Sequence, residues 1–199
     1  MSDGSLKKFS IRMAYSELHD GGDVVRWSKL IWFSQNIPKH AFLLWLAIQC
    51  KLPTQDKIRR WGNYDLMVCL LCYSDLDSHD HLFFNCSYTS KFWAKVMHKL
   101  KMDNSNTDWE GVVGAFVDSY NGSSVGSITR RLCLAASVYL VWQERNNRLF
   151  KDERRSVDDF FKCFCDTIKM RLASLKMKWS KAVCDTEKIW DIKLNVISG

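Results

Sequence analysis

The sequence predicts a mainly α-helical protein. Over much of its 199 residues, apolar side chains recur at intervals of three or four, the spacing that buries one face of a helix. The period-two alternation of a half-buried sheet is nearly absent, and only two prolines and nine glycines interrupt the chain. A hydrophobic fraction of 47% with 26% charged residues is ordinary for a globular protein and excludes a disordered one. At most, a minor extended pair is predicted near the N-terminus.

The first hundred residues are predicted to form short helices around one irregular segment. A short helix or turn over 25–33 precedes Pro38, which fits the first turn of a helix that runs to about Cys50. That helix is apolar nearly all round, which is typical of a central core helix. Thr54 is predicted to cap a further helix that extends to about Trp61.

Longer amphipathic helices are predicted further along the chain. One covers 87–100 and closes a first domain over 1–100. A polar and glycine-containing connector with a possible short helix follows over 101–127. The remaining residues, 128–199, are predicted to form a helical C-terminal region that opens with a long helix over 128–150.

A second long helix of the C-terminal region has the clearest pattern in the sequence. Ser156, followed three residues later by Asp159, resembles a capping box at its start. From Val157 onward, apolar residues step by three or four as far as Trp179. We therefore expect the Trp179 side chain to point into the core.

The charge balance permits a polyanionic partner. Lysine and arginine total 29 against 22 acidic residues, which gives a net charge of +7 and a pI near 9.0. Basic side chains concentrate in two helical stretches, beside Trp61 and Trp179, which could stack on bases. The candidate phosphate contacts are Lys51, Lys57, Arg59 and Arg60 in the first stretch, and Lys169, Arg171, Lys176 and Lys178 in the second. The alternative is that these lysines only solvate a helix face and the tryptophans are core.

The eight cysteines are best explained by a reduced, intracellular protein. The N-terminus lacks the apolar core of a signal peptide, and no apolar run approaches the 18 residues of a membrane span. The sequence leaves open whether the protein is nuclear or cytoplasmic. In a reduced compartment, clustered cysteines indicate a metal and scattered ones indicate packing. Packing is the predicted role of the scattered five, Cys50, Cys133, Cys163, Cys165 and Cys184.

A metal-binding pattern lies in the irregular segment. Cys69 and Cys72 are followed by His81 and Cys86, in the spacing C-x2-C-x8-H-x4-C. Three sulfurs and one imidazole fill the tetrahedral shell of Zn²⁺ and leave no position for water, so the predicted site is structural. His79 is the alternative to His81, which is favoured because an apolar run follows it.

These motifs resemble those of a known domain. From about residue 8 to residue 93, the chain is similar to the zinc-binding domain that follows the polymerase in reverse transcriptases of plant LINE-type (non-LTR) retroelements. The matching pieces are 9–15, 27–32, 37–45, 52–54, Cys69-x-x-Cys72, 81–86 and Trp93. The resemblance implies the same four zinc ligands, and Asp77 stands where the family usually has Glu. A later run over 142–150 is similar to a segment that follows this domain in such elements.

The resemblance and the residues together imply a non-catalytic role. The sequence has no Tyr-x-Asp-Asp polymerase site and no recognisable RNase H carboxylates. The interpretation is a zinc-stabilised module, derived from a retroelement reverse transcriptase, that binds RNA or DNA and acts with a polymerase-bearing retroelement protein. The alternative is a zinc-stabilised helical module that binds another protein. No membrane partner is expected, and the oligomeric state is open.

Overall fold

The computed structural model describes residues 25–58, 68–103 and 108–197 of the chain. Within these residues the protein is mainly α-helical, as predicted, with one two-stranded sheet. The extended pair predicted near the N-terminus lies outside the described residues, as do Arg59, Arg60 and Trp61. Among the described helices, none is long and apolar enough to cross a membrane.

The helices and strands of the described residues follow one another along the chain in a single order. They are α1 (Ser28–Ile31), α2 (Pro38–Ile48), α3 (Gln55–Ile58), a π-helix (His81–Asn85), α4 (Ser87–Leu100), α5 (Trp109–Ser119), α6 (Val125–Lys151), α7 (Val157–Ala173), β1 (Lys176–Lys178), α8 (Lys181–Trp190) and β2 (Asn195–Ile197). The strands β1 and β2 pair in parallel, and Met177 lies opposite Val196.

Several predicted helix starts are confirmed. Pro38 occupies the first position of α2, and α4 has the predicted bounds. Ser156 caps α7, where its Oγ accepts from the Asp159 backbone nitrogen at 3.1 Å. The helix α6 begins at Val125, three residues earlier than predicted, because Ser124 provides a cap for it.

The prediction that Trp179 points into the core is wrong. The helix α7 ends at Ala173, and the chain continues as β1, so the helical period no longer applies beyond that point. Leu175 and Met177 remain buried, two residues apart, as expected for extended chain. Trp179 follows the strand just before Ser180, the cap of α8, and 72% of its surface is exposed.

The central helix is α6, and not α2 as predicted. It packs against α1, α2, α4, α7, α8 and the π-helix. Small residues such as Ala135 and Ala136 are buried on it and let its neighbours approach closely. The shorter α2 leaves Phe42 53% exposed on its outer side. The buried side chains form one apolar cluster that extends from α1 to beyond α8. The division into domains at 1–100, 101–127 and 128–199 stays a prediction.

Candidate metal centre

Four potential metal ligands converge in the structure. The ligand atoms of Cys69, Cys72, His81 and Cys86 all lie within 4.8 Å of one another. The Sγ atoms of Cys69 and Cys86 are 3.8 Å apart, and Cys72 Sγ is 3.2 Å from His81 Nε2. A tetrahedron with Zn–S bonds of about 2.3 Å would separate two sulfurs by about 3.8 Å. The geometry of the sulfurs therefore suits Zn²⁺.

A tight turn presents the first two cysteines. The Cys69 backbone nitrogen donates to the carbonyl of Asp75 at 2.6 Å, and Val68 forms an isolated antiparallel bridge with Leu76. The Tyr73 nitrogen donates back to the Cys69 carbonyl at 2.8 Å, with Tyr73 in the left-handed conformation. These bonds close the chain on itself, so both sulfurs face the same side.

The π-helix presents the other two ligands. His81 is its first residue, and Cys86 follows its last residue, in extended backbone. The Cys86 nitrogen donates to the His81 carbonyl at 2.8 Å, which is the five-residue closure of a π-turn. On the other side of the ring, Asp75 Oδ2 lies 3.4 Å from His81 Nδ1. A carboxylate in that place orients the imidazole and leaves Nε2 to face Cys72.

A hydrogen bond between the buried thiols of Cys69 and Cys86 shifts their pKa values in opposite directions. The hydrogen bond from the Cys69 thiol lowers the pKa of Cys86 to about 5. The same hydrogen bond, followed by burial, raises the pKa of Cys69. The shared hydrogen bond thus favours the thiolate of Cys86 over that of Cys69, and thiolate is the form that ligates Zn²⁺. Metal binding would release the remaining protons.

The structure places His79 away from the cluster of sulfurs. Its ring packs edge-on against Phe83 and Trp109, with centroids 5.2 Å and 4.6 Å away. Burial, and then the charge of Lys57, lowers the pKa of His79 to about 4, so the ring is neutral. The position of His79 is that of a core histidine, and the geometry favours His81 as the ligand.

The helix α6 supports the cysteine turn from outside it. Arg148 donates through Nη1 to the carbonyls of Leu70 and Leu71, each at 3.1 Å, and these are the two residues between the first two cysteines. The Arg148 guanidinium is itself held by Glu144, whose Oε1 lies 3.0 Å from Arg148 Nε. The Glu144 side chain is 1% exposed, so this ion pair is shielded from solvent.

A second arginine of α6 holds the chain before the π-helix. Arg145 donates to Asp77 Oδ2 through Nη2 at 2.6 Å and through Nε at 3.2 Å. The two side chains are 2% and 0% exposed. The same Asp77 oxygen accepts from the backbone nitrogen of Gln55, the first residue of α3, at 3.1 Å. The Thr54 hydroxyl has no hydrogen-bond partner, so the prediction that Thr54 caps this helix is wrong. In the sequence, Arg145 and Arg148 stand out only as part of the run over 142–150, and that resemblance predicts no function for them.

The candidate phosphate-contacting lysines and arginines differ in whether the protein itself already engages them. Arg171 is engaged by the protein, because it donates to the carbonyls of Gln35 and Asn36 at 2.9 Å and 3.0 Å. Lys57 Nζ bonds to the Cys50 carbonyl. Lys51 is exposed, with Nζ 5.4 Å from the ring centre of Trp45. Of the others described, Lys169 is half-buried on α7, and Lys176 and Lys178 are exposed on β1.

The five remaining cysteines differ in burial. Cys133 is fully buried on α6, as predicted for a packing residue. Cys163, Cys165 and Cys184 are half-buried. Cys50 is exposed, so the packing role predicted for it is wrong. It lies two residues beyond the end of α2 with a φ of 49°, which turns the chain outward there.

Comparison with known protein families supports the resemblance to a zinc-binding domain of reverse transcriptases. Residues 9–93 match the family described as zinc-binding in reverse transcriptase, and all four candidate ligands lie within the match. No curated protein and no solved structure matches the chain significantly. The match ends within α4, so Arg145 and Arg148 come from outside the matched residues.

Proposed function

We propose that the protein is a non-catalytic module in which a structural Zn²⁺ holds a surface for RNA or DNA. Cys69, Cys72, His81 and Cys86 would ligate the ion. The donor set supports this assignment, because three sulfurs and one imidazole suit Zn²⁺ and fill its four positions. With no open position, the ion would stabilise the fold and would not activate water or substrate.

The exposed aromatic and basic segment after α7 carries the nucleic-acid proposal. Trp179 is 72% exposed, and Lys176, Lys178 and Lys181 beside it are exposed as well. A tryptophan that the core does not use can stack on a base, while neighbouring lysines neutralise phosphates. The net charge of +7 favours the same class of partner.

The proposed origin is a plant LINE-type retroelement, and the proposed protein partner is a polymerase-bearing protein of such an element. The order and spacing of the sequence motifs support this origin, together with the match of residues 9–93. The catalytic chemistry would then belong to the partner, and this chain would contribute nucleic-acid affinity.

Fluorescence anisotropy with a labelled single-stranded oligonucleotide tests the nucleic-acid proposal. We expect binding at about 50 mM salt that weakens steeply as salt is raised, because phosphate contacts release counterions. Trp179→Ala should lower the affinity about fivefold or more, the effect of losing one stacked base. Trp32→Ala is the matched control, since Trp32 is 54% exposed but lies outside the basic segment.

The same titration distinguishes the alternative function. No binding of the wild-type protein at about 50 mM salt would contradict the proposal, since electrostatic attraction is then strong. That result would favour the helical protein-interaction module. The exposed apolar side chain of Phe150, at the C-terminal end of α6 and 76% exposed, would then be the first candidate contact.

A further inference from the structure

A cleft of about 740 Å³ opens on the side of the molecule where α2, α6 and α7 meet. The first turn of α2 forms one wall, with Lys39 and His40. Tyr139 and Gln143 of α6 form the floor, and Arg171 of α7 contributes to the opposite wall. None of the metal ligands lines the cleft, which is therefore a separate feature from the metal centre.

The cleft carries positive charge without compensation from its own walls. Lys39 and Arg171 are the cations among the described residues that line it, and no carboxylate is among them. Lys39 Nζ lies 5.0 Å from the centre of the Tyr139 ring. Arg171 is fixed by its bonds to the carbonyls of Gln35 and Asn36, just before α2. An anion in the cleft would thus meet a cation already held in place.

The N-terminal end of α2 adds to the positive electrostatic potential of the cleft. The helix has eleven residues, with Pro38 in its first turn, no acidic residue there and no side-chain cap. The positive end of its dipole is therefore left without a negative partner on the chain. Pro38 has no N–H, and the His40 and Ala41 nitrogens donate to the Ile37 carbonyl, so the Lys39 N–H is the one backbone donor left in the first turn. A phosphate is favoured there by the dipole and by that one donor.

A buried imidazole at the same place lacks a partner. His40 is 2% exposed and stacks on Tyr139 with ring centroids 4.3 Å apart, and its Nδ1 makes no hydrogen bond. Burial, and then the charge of Lys39, lowers the pKa of His40 to about 4, so the ring is neutral at physiological pH. A buried polar atom without a partner is costly, and a ligand or a water that it retains could supply one.

We propose that this cleft binds a backbone phosphate of single-stranded RNA or DNA, with Lys39 and Arg171 on either side of it. The inference rests on the proposed function and names the surface that performs it. The strand would continue from Arg171 along the same stretch of chain to Lys176 and Lys178 on β1. A groove that combines cations with aromatic side chains is typical of proteins that bind single strands.

Binding of a labelled 15-nucleotide oligouridylate by the zinc-loaded full chain tests the proposal. One phosphate contact on a single strand changes log K by roughly 0.7 per decade of salt. Since 50 mM lies about 1.3 decades below 1 M, where this contribution vanishes, Lys39→Ala should weaken binding about eightfold at about 50 mM salt. The slope of log K against log salt should fall by about 0.7. Lys91→Ala is the control, since Lys91 is an exposed lysine of α4 that does not line the cleft.

The outcomes separate the two proposals. If the wild type binds and Lys39→Ala binds equally well, the cleft is not the site, while the proposed function stands. If the wild type does not bind, both fail. Uridine monophosphate serves as the second probe. Binding of the mononucleotide as tight as that of the oligonucleotide would show a site for a free nucleotide, and would overturn the assignment to a strand.

Discussion

The cysteine-rich segment over 68–86 and the helix α6 are stabilised by different forces. The helix buries a periodic series of apolar side chains, including Leu132 and Val141, against six neighbouring elements. The segment has one isolated bridge and one π-helix of its own. The π-helix buries Leu82, Phe83 and Phe84, whereas the turn before it is held by hydrogen bonds beside the four candidate ligands. We therefore expect α6 to form without metal and the segment to depend on both an ion and the arginines of α6.

Loss of the metal is expected to produce the largest difference in stability between the segment over 68–86 and α6. Chelation or Cys72→Ser should unfold 68–86, because binding free energy of about 10 kcal/mol in such sites is largely folding free energy. Hydrogen exchange should show lost protection over 68–86 and retained protection in the middle of α6. Zinc content should fall from about one ion per chain to near zero in Cys72→Ser.

Cys163→Ser is the control for this prediction, because Cys163 lies half-buried on α7 and away from the ligands. It should retain the metal and the exchange pattern of the wild type. Unchanged protection of 68–86 after chelation would contradict the dependence of this segment on metal.

The buried ion pair between Arg145 and Asp77 should have the next largest effect. Arg145→Met leaves the fully buried Asp77 carboxylate without its cation, which should cost about 3–5 kcal/mol of unfolding free energy. Urea titration of the zinc-loaded protein measures the loss. The double variant with Asp77→Leu should recover much of it, since removing both charges is often nearly neutral. A single variant as stable as the wild type would show that the pair does not join the two regions.

Arg148 should affect the metal more than the overall fold. Arg148→Met removes the donors to the Leu70 and Leu71 carbonyls and should weaken zinc binding about 10- to 100-fold, as is usual for groups that orient ligands. Competition with a chromophoric chelator measures the affinity. Arg26→Met is the control, because Arg26 is 81% exposed and pairs with the exposed Asp118. Equal affinities of the two variants would contradict a role for α6 at the metal centre.

The sequence predicted what depends on local pattern. The bounds of α4, the start of α2 at Pro38 and the cap at Ser156 follow from short-range spacing, and so does the convergence of the four candidate ligands. The prediction for Trp179 is wrong because Leu175 and Trp179 continue the helical spacing past the end of α7, although the chain there is extended and buries Met177 instead.

Contacts between residues far apart in the sequence leave no local pattern, so the sequence did not predict them. Arg145 and Asp77 are 68 residues apart, and Arg148 reaches Leu70 across 78 residues. A charged residue in an amphipathic helix is normally solvated, so its sequence context favours exposure. Only the fold shows that these two side chains of α6 face the segment over 68–86.

The position of Arg148 also bears on the reactivity of the sulfurs. With Zn²⁺ bound, three thiolates around the ion would carry a net charge of −1, and the Arg148 guanidinium bonds to two of the three peptide groups that link Cys69 to Cys72. A fixed cation beside an anionic cluster withdraws electron density from the thiolates, which makes them weaker bases and slower nucleophiles. Arg148 should therefore protect the ligated cysteines from alkylation and oxidation as well as hold their turn in shape.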